Sequence, residues 1–176
     1  RDYKVTGVQT CALPISYIAG KLATLFGDAV VLAFATKLRQ LCVDHGYLTQ
    51  KEAFSKPTSP NARTILRERS EYFKTFYGTR DYFANECWVK WTLLDALEIP
   101  VIIQDLRHQC EANKVAESKG VLIYLGDCEL TEDEKTESSF QDLPLIYERA
   151  NYHLPAKPSE EKILELFNTL ITLKKN

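Results

Sequence analysis

Cysteine and histidine are few in this chain of 176 residues, and neither occurs in a metal-binding pattern. The five cysteines are widely spaced and never form a CxxC pair, which argues against a zinc site or a disulfide framework. The three histidines, His45, His108 and His153, lie far apart without ligand spacing. These absences favour reduced thiols and a cytoplasmic protein.

The chain also lacks an excess of positive charge and any long apolar run. Its formal net charge is −2, so it has no long-range positive field of the kind that binds duplex nucleic acid, and an anionic partner must meet a local cluster of Arg and Lys. No apolar stretch approaches the roughly 20 residues that a membrane-spanning helix needs. We therefore expect no duplex nucleic acid and no membrane among its partners.

The first sixteen residues lack the apolar centre of a signal peptide and any sustained helix or strand periodicity. Residues 5–16 resemble the peptide produced when a short-read sequencing adapter is translated in frame. We therefore expect residues 1–16 to be a foreign or disordered leader and residues 17–176 to be one domain. The phosphate-cradling pattern GxxxxGK[ST] is absent, because Gly20-Lys21 is followed by Leu22 in a predicted helix.

Apolar strand-like runs alternate with helical patterns over the rest of the chain. Four runs have the length and flanking turn residues of buried strands, at residues 29–34, 101–104, 121–125 and 152–154. The crossover between residues 104 and 121 is long enough for parallel pairing. The pattern predicts an α/β fold, a three-layer parallel sheet with helices on both faces.

Asp105 is the clearest candidate for chemistry, because it directly follows an apolar strand and is succeeded by Arg107. Ligands bind at the carboxyl edge of open α/β sheets. A carboxylate there can hold Mg²⁺ or its waters, and a neighbouring guanidinium can bind phosphate oxygens. The alternative is that Asp105 only caps the following helix and that Arg107 pairs with Glu111.

A second constellation is cationic and interleaved with aromatic residues; it comprises Lys56, Arg63, Arg67, Arg69, Lys74 and Arg80. Phosphoryl transfer needs such groups, because its transition state spreads negative charge over several oxygens. The alternative is a solvated face, with Glu68 and Glu71 balancing part of the charge.

Several short segments, in this order and spacing, resemble motifs of the phage and bacterial deoxynucleoside monophosphate kinases. The matching segments are residues 34–39 (FATKLR, similar to FAxxL[KR]), Ser59-Pro60 with residues 63–66 (RTIL, similar to an arginine-bearing lid helix), residues 78–80 (GTR), Trp88-Val89, residues 101–112 (similar to a strand followed by DxRxxxEA) and residues 119–123 (KGVLI, similar to KxGGxVI). The resemblance covers about residues 17–173. Arg67 departs from it, standing where the family usually has Gln.

The resemblance implies a P-loop kinase fold whose phosphate-binding loop is missing here, with lid and acceptor helices at about residues 49–98. It implies ATP with Mg²⁺ as the donor and a (deoxy)nucleoside monophosphate as the acceptor. The residues that it carries over are Arg39, Arg63 and Trp88 for the acceptor, Arg67, Lys74 or Arg80 for the transferring group, and Asp105 with Arg107 for the metal and phosphate edge. The alternative for Trp88 is an ordinary core position.

Two other functions stay open on the same fold. One is a noncatalytic module that binds a nucleotide or a partner. The other is a P-loop kinase with a different acceptor, such as dephospho-coenzyme A. A homodimer is compatible with each of them. Because the loop and its lysine hold the donor phosphates, we expect the chain as written to be inactive.

Overall fold

The computed structural model describes residues 4–9, 12–55, 58–79, 81–126 and 141–174. The strands in these ranges are β1 (Lys4–Gln9), β2 (Val30–Ala33), β3 (Val101–Leu106), β4 (Val121–Leu125) and β5 (Tyr152–Leu154). The helices are α1 (Ala12–Phe26), α2 (Ala35–Asp44), α3 (Gln50–Phe54), α4 (Pro60–Phe76), α5 (Tyr82–Ala96), α6 (Gln109–Glu117), α7 (Leu143–Arg149) and α8 (Glu160–Lys174).

The described strands form one sheet in the order β2-β3-β1-β4-β5, and every pair is parallel. After β1 the chain crosses to β2, which lies at one edge of the sheet. After β3 it crosses in the other direction to β4, which lies on the far side of β1. Connections that leave neighbouring strands in opposite directions open a crevice at the carboxyl ends of those strands. The predicted parallel α/β sheet is confirmed, and the crevice lies beside the end of β3.

The beginning of the chain differs from the expectation of a leader outside the fold. The backbone of Lys4–Gln9 forms the central strand β1, and α1 begins at Ala12 rather than near Tyr17. The run is rich in β-branched residues, which suit a strand, and the facing edges of β3 and β4 need a hydrogen-bonding partner between them. Polar residues and Gly7 interrupt both a continuous apolar run and a strict apolar–polar alternation in this segment, so the sequence did not indicate a strand. The foreign origin of residues 5–16 stays a prediction.

Helices cover both faces of the sheet, as predicted. On one face, α1 and α8 pack around a cluster that includes Leu22, Ile123 and Leu170. On the other face, α5, α6 and α7 pack around Trp91, Ile103 and other buried residues. Burial of these side chains is the main favourable term that holds the three layers together.

A third hydrophobic cluster joins α2, α3, α4 and the start of α5 into a helical lobe beside β2. Within α4, Ala62, Leu66 and Phe73 recur at helical spacing and are buried, and the Ser59 hydroxyl caps its first turn. Helix α3 lies within residues 49–98, for which the resemblance implied lid and acceptor helices. Its capping box, in which Thr49 and Glu52 bond reciprocally, begins the helix.

Candidate functional site

Asp105 stands at the carboxyl end of β3 in a left-handed backbone conformation, with φ of 64°. Its carboxylate accepts hydrogen bonds from the backbone N–H groups of Phe34 (2.9 Å) and Ala35 (3.3 Å). These groups belong to the start of α2, where backbone N–H groups have no intrahelical acceptor. Asp105 therefore fixes the β2–α2 turn against β3, and the alternative that it caps the helix after it, α6, is wrong.

Two arginines act on the Asp105 carboxylate. Burial raises the pKa of Asp105 to about 6, while Arg107, the two backbone hydrogen bonds and Arg39 oppose that increase. With a pKa of about 6, the group is predominantly ionised at neutral pH. The end of β3 thus carries a negative charge that two guanidinium groups stabilise.

Arg39 is carried on α2 and is half-buried. Its guanidinium donates hydrogen bonds to the carbonyl oxygen of Ala53 and to the Thr58 hydroxyl, which is 3.4 Å away. Burial lowers the pKa of Arg39, whereas the nearby Asp105 acts to raise it. The end of α3 therefore helps to hold Arg39 at the crevice. Only the family resemblance predicted a role in the site for Arg39.

Glu111 holds the turn between β3 and α6. Its Oε2 atom accepts hydrogen bonds from the backbone N–H groups of Arg107 (2.7 Å) and His108 (3.0 Å). Glu111 is only 6% exposed, and burial raises its pKa to about 8. The spacing of Arg107 and Glu111 suggested a contact, and the structure shows it as a hydrogen bond from the backbone of Arg107.

His108 connects this turn to two other elements. Burial lowers the pKa of His108, and the positive charges of Lys74 and Arg107 act in the same direction. Its Nδ1 atom lies 3.9 Å from Oδ2 of Asp142, directly before α7. Lys74 itself pairs with Glu71 at 2.9 Å. Lys74 of α4 therefore belongs to the same group of charges as Arg107.

Arg69 was named in the predicted cationic constellation, but the resemblance gave it no role. The carbon at the centre of its guanidinium is 3.8 Å from the ring centroid of Tyr47 and 5.9 Å from that of Tyr72. Its charge also acts on Cys42, as does that of Arg39. Helical spacing from Leu66 and Phe73 could have placed Arg69 on the inner side of α4.

The remaining predicted residues are not gathered at Asp105. Arg63 and Arg67 are exposed on α4, and the cations that act on Asp105 are Arg107 and Arg39. Trp88 is half-buried on α5 and packs against the core, with its ring centroid 4.6 Å from that of Trp91. Arg80 lies outside the described residues.

No cluster of three or more Cys, His, Asp or Glu side chains that could hold a metal occurs in the part of the chain that the structure describes. Asp105 can contribute one carboxylate, whose oxygens each accept one N–H and keep further acceptor capacity. Mg²⁺ is commonly held by one or two carboxylates together with waters and substrate phosphates. The residues present fit a magnesium ion bound in that way.

The structure resembles solved kinases. It aligns with dephospho-CoA kinase from Campylobacter jejuni at a TM-score of 0.54 and 12% identity, over 98% of this chain and 96% of that chain. Shikimate kinase from Aquifex aeolicus vf5 aligns at a TM-score of 0.46 and 10% identity, over 96% of this chain and 96% of that chain. Shikimate kinase from Acinetobacter baumannii, in complex with shikimate, aligns at a TM-score of 0.47 and 14% identity, over 98% of this chain and 92% of that chain. No family model and no curated protein matches the sequence. The first alignment shows that the chain shares the α/β fold of that dephospho-CoA kinase.

The sequence between β1 and α1 departs from a phosphate-binding loop. A GxxxxGK[ST] pattern that began at Gly7 would need Gly, Lys and Ser or Thr where the chain has Ala12, Leu13 and Pro14. In such loops, backbone N–H groups and the lysine hold the donor phosphates. Three substitutions therefore separate this segment from the pattern.

Among the described residues, no helix is long and apolar enough to cross a bilayer.

Proposed function

We propose that this fold serves phosphoryl transfer from ATP to a (deoxy)nucleoside monophosphate. The observation that supports this function best is the group of charges at the carboxyl end of β3. Arg39 and Arg107 act on the Asp105 carboxylate, while Lys74 and Arg107 act on His108. Two cations, from α2 and from the turn after β3, thus act on one carboxylate at the sheet edge where open α/β folds bind ligands. Lys74 of α4, which pairs with Glu71, acts on the neighbouring His108.

These residues provide what phosphoryl transfer requires of a protein. The transition state distributes negative charge over the equatorial oxygens, so catalysis is mainly positioning and charge neutralisation. We assign neutralisation of the transferring group to Arg107 and Lys74, and contact with the acceptor phosphate to Arg39. Asp105 would supply one ligand to Mg²⁺, which when bound with ATP neutralises charge on the donor phosphates.

The other family positions complete the proposal. Arg63 would meet the acceptor phosphate from its exposed position on α4. Arg67 and Arg80 would approach the transferring group, and Trp88 would border the acceptor pocket.

The chain offers a direct test through its missing loop. The triple variant Ala12→Gly, Leu13→Lys, Pro14→Ser completes the GxxxxGK[ST] pattern that begins at Gly7. We expect the chain as written to release no ADP from ATP with any monophosphate, and the triple variant to turn over with at least one deoxynucleoside monophosphate. The matched control carries Ala at position 13 in the same background and is expected to be inactive, since the lysine positions the donor phosphates.

A folded triple variant that binds ATP yet transfers to no monophosphate would contradict the proposal. Turnover by the unaltered chain would contradict only the expectation that it is inactive. In the active variant, Arg107→Ala should lower kcat/KM by about a hundredfold or more, because an arginine that stabilises the transferring group contributes roughly 10³ in rate. Replacement of the exposed Lys162 by Ala on α8 is the control.

The alignment with dephospho-CoA kinase favours a second acceptor for the same site. Dephospho-coenzyme A therefore belongs in the acceptor panel, and turnover with it alone would identify the acceptor as that molecule. The departures at Ala12, Leu13 and Pro14 favour a noncatalytic module instead. Binding of nucleotide by the triple variant, without turnover of any acceptor, would support that function.

A further inference from the structure

Two half-buried arginines of the helical lobe approach the same turn of α2. Arg39 belongs to α2, and Cys42 lies one helical turn after it. Arg69 comes from α4, and the central carbon of its guanidinium lies 3.8 Å from the ring centroid of Tyr47. The backbone N–H of Tyr47 in turn donates to the carbonyl oxygen of Cys42 at 2.8 Å. Both guanidinium charges act on the Cys42 thiol, so both groups lie near this turn.

Neither arginine has a carboxylate partner in the part of the chain that the structure describes. The ion pairs found there join other residues, and Asp105 acts on Arg39 only from beyond ion-pair distance. Two guanidinium groups repel each other, and partial burial of a charge without a counter-charge costs free energy. The lobe therefore holds two cations near each other against their repulsion, and a bound anion would stabilise this arrangement.

Both guanidinium groups keep hydrogen-bond donors for such an anion. A guanidinium has five N–H donors, and Arg39 uses only part of them on the carbonyl oxygen of Ala53 and the Thr58 hydroxyl. Arg69 instead lies over the ring of Tyr47. Stacking covers a face of the guanidinium plane, so the N–H groups at its edge can still bind two oxygens of a phosphate.

We propose that Arg69 binds the acceptor phosphate together with Arg39, and that the ring of Tyr47 positions Arg69 for this contact. The inference rests on the proposed function and adds a residue to which the family resemblance gives no role. A phosphate monoester is mostly a dianion at neutral pH, since its second pKa is about 6, so two guanidinium groups match its charge. The parent deoxynucleoside, which has no phosphate, would leave both cations without a counter-charge.

The first experiment measures binding without turnover. Isothermal titration calorimetry of the chain as written, without ATP, compares the common deoxynucleoside monophosphates with the corresponding deoxynucleosides. We expect at least one monophosphate to bind about tenfold or more tightly than its deoxynucleoside. Arg69→Ala and Arg69→Gln should each weaken that binding by about tenfold or more, because a charge-assisted contact is lost. The matched control is Arg149→Ala, an exposed arginine on α7, which should bind like the wild type.

The second experiment tests the positioning role of Tyr47. Tyr47→Phe keeps the ring and should change the affinity by less than about twofold, whereas Tyr47→Leu should weaken binding by about threefold or more. In the Arg69→Ala background, Tyr47→Leu should have no further effect, because the group that it positions is already gone. Circular dichroism melts establish that each variant is folded.

The outcomes separate this inference from the proposed function. Failure of every monophosphate to bind, or binding that Arg69→Ala and Arg69→Gln leave unchanged, overturns the inference. An effect of Tyr47→Leu that persists in the Arg69→Ala background overturns the positioning role. Binding that depends on Arg69, in a triple variant that transfers no phosphate, supports this inference while it contradicts phosphoryl transfer.

Discussion

Asp105 illustrates how one side chain links backbone structure to the chemistry of the site. Its carboxylate accepts hydrogen bonds from two backbone N–H groups of the β2–α2 turn, and the charges of Arg107 and Arg39 act on it. The first role orients α2, and with it Arg39, relative to the end of β3. The second gives the guanidinium groups a fixed counter-charge, which a bound phosphate or metal ion would rearrange.

Replacement of Asp105 tests the structural role in the chain as it stands. We expect Asp105→Ala to lower the free energy of unfolding by about 1–3 kcal/mol, because the N–H groups of Phe34 and Ala35 lose their acceptor. Asp105→Asn keeps one acceptor oxygen and tolerates the left-handed backbone, so its loss should be smaller. Urea denaturation measures both. The exposed Asp28→Ala is the control, and a loss for Asp105→Ala no larger than for Asp28→Ala would contradict the role.

The raised pKa of Glu111 predicts that the stability of the fold decreases as the pH rises. Its pKa is raised from 4.5 to about 8 by burial, so the folded state keeps a proton that the unfolded state has already lost. Its contribution to stability is therefore complete below about pH 4.5 and is lost as the pH rises toward 8, by on the order of 2 kcal/mol or more. Glu111→Gln keeps an acceptor without titrating.

The measurement compares the unfolding free energies of wild type and Glu111→Gln from pH 5 to pH 8. The wild type should lose stability relative to the variant across this interval. Asp105, whose pKa is also raised, contributes to the slope in both proteins and cancels in the difference. Parallel curves would show that Glu111 does not titrate in this range.

Site residues whose location follows directly from their position along the chain could be predicted from the sequence. Asp105 and Arg107 were predicted because they follow an apolar strand, and the structure places Asp105 at the carboxyl end of β3. Arg69 was predicted only as one of six cations, because its stacking on Tyr47 joins residues of different segments and local spacing cannot show that contact. Arg63 was predicted for the same site, but its spacing fixes only a face of α4 and not what that face meets.

At the scale of elements, the first strand is the largest difference between expectation and structure. Thr6 of β1 pairs with Ile103 of β3 and Leu122 of β4, so the strand has a neighbour on both sides. The predicted boundaries of the later strands were close, since continuous apolar runs with turn residues on both sides specify buried strands well. A short strand without a continuous apolar run can be recognised only in the structure, where it lies between the edges of two other strands.

A proline at position 6 distinguishes the two interpretations of the first residues. In a central strand, Thr6→Pro removes a backbone donor and should lower the unfolding free energy by roughly 3 kcal/mol or more. In a leader outside the fold it would have almost no effect. Thr6→Val keeps the donor and the β-branched shape and serves as the control. Thermal unfolding of the three proteins, followed by circular dichroism, measures the difference.

At the scale of the whole molecule, the proposed site lies where the sheet meets the helical lobe. Asp105 and Arg107 come from the sheet side, whereas Arg39 and Lys74 come from α2 and α4. The net charge of −2 excludes a general positive field, so recognition of phosphate must be local. The net charge predicted that phosphate recognition must be local. It could not predict that cations from the sheet side and from the helical lobe lie near each other, because that depends on how the lobe packs.

The strand order also governs how the chain can reach this fold. β1 is synthesised first, yet its partners Ile103 and Ile123 follow roughly a hundred residues later. The middle of the sheet can therefore close only after β3 and β4 have been made, and we expect nucleation to begin in the locally connected helical lobe. β1 is thus among the last of the described elements to reach its place.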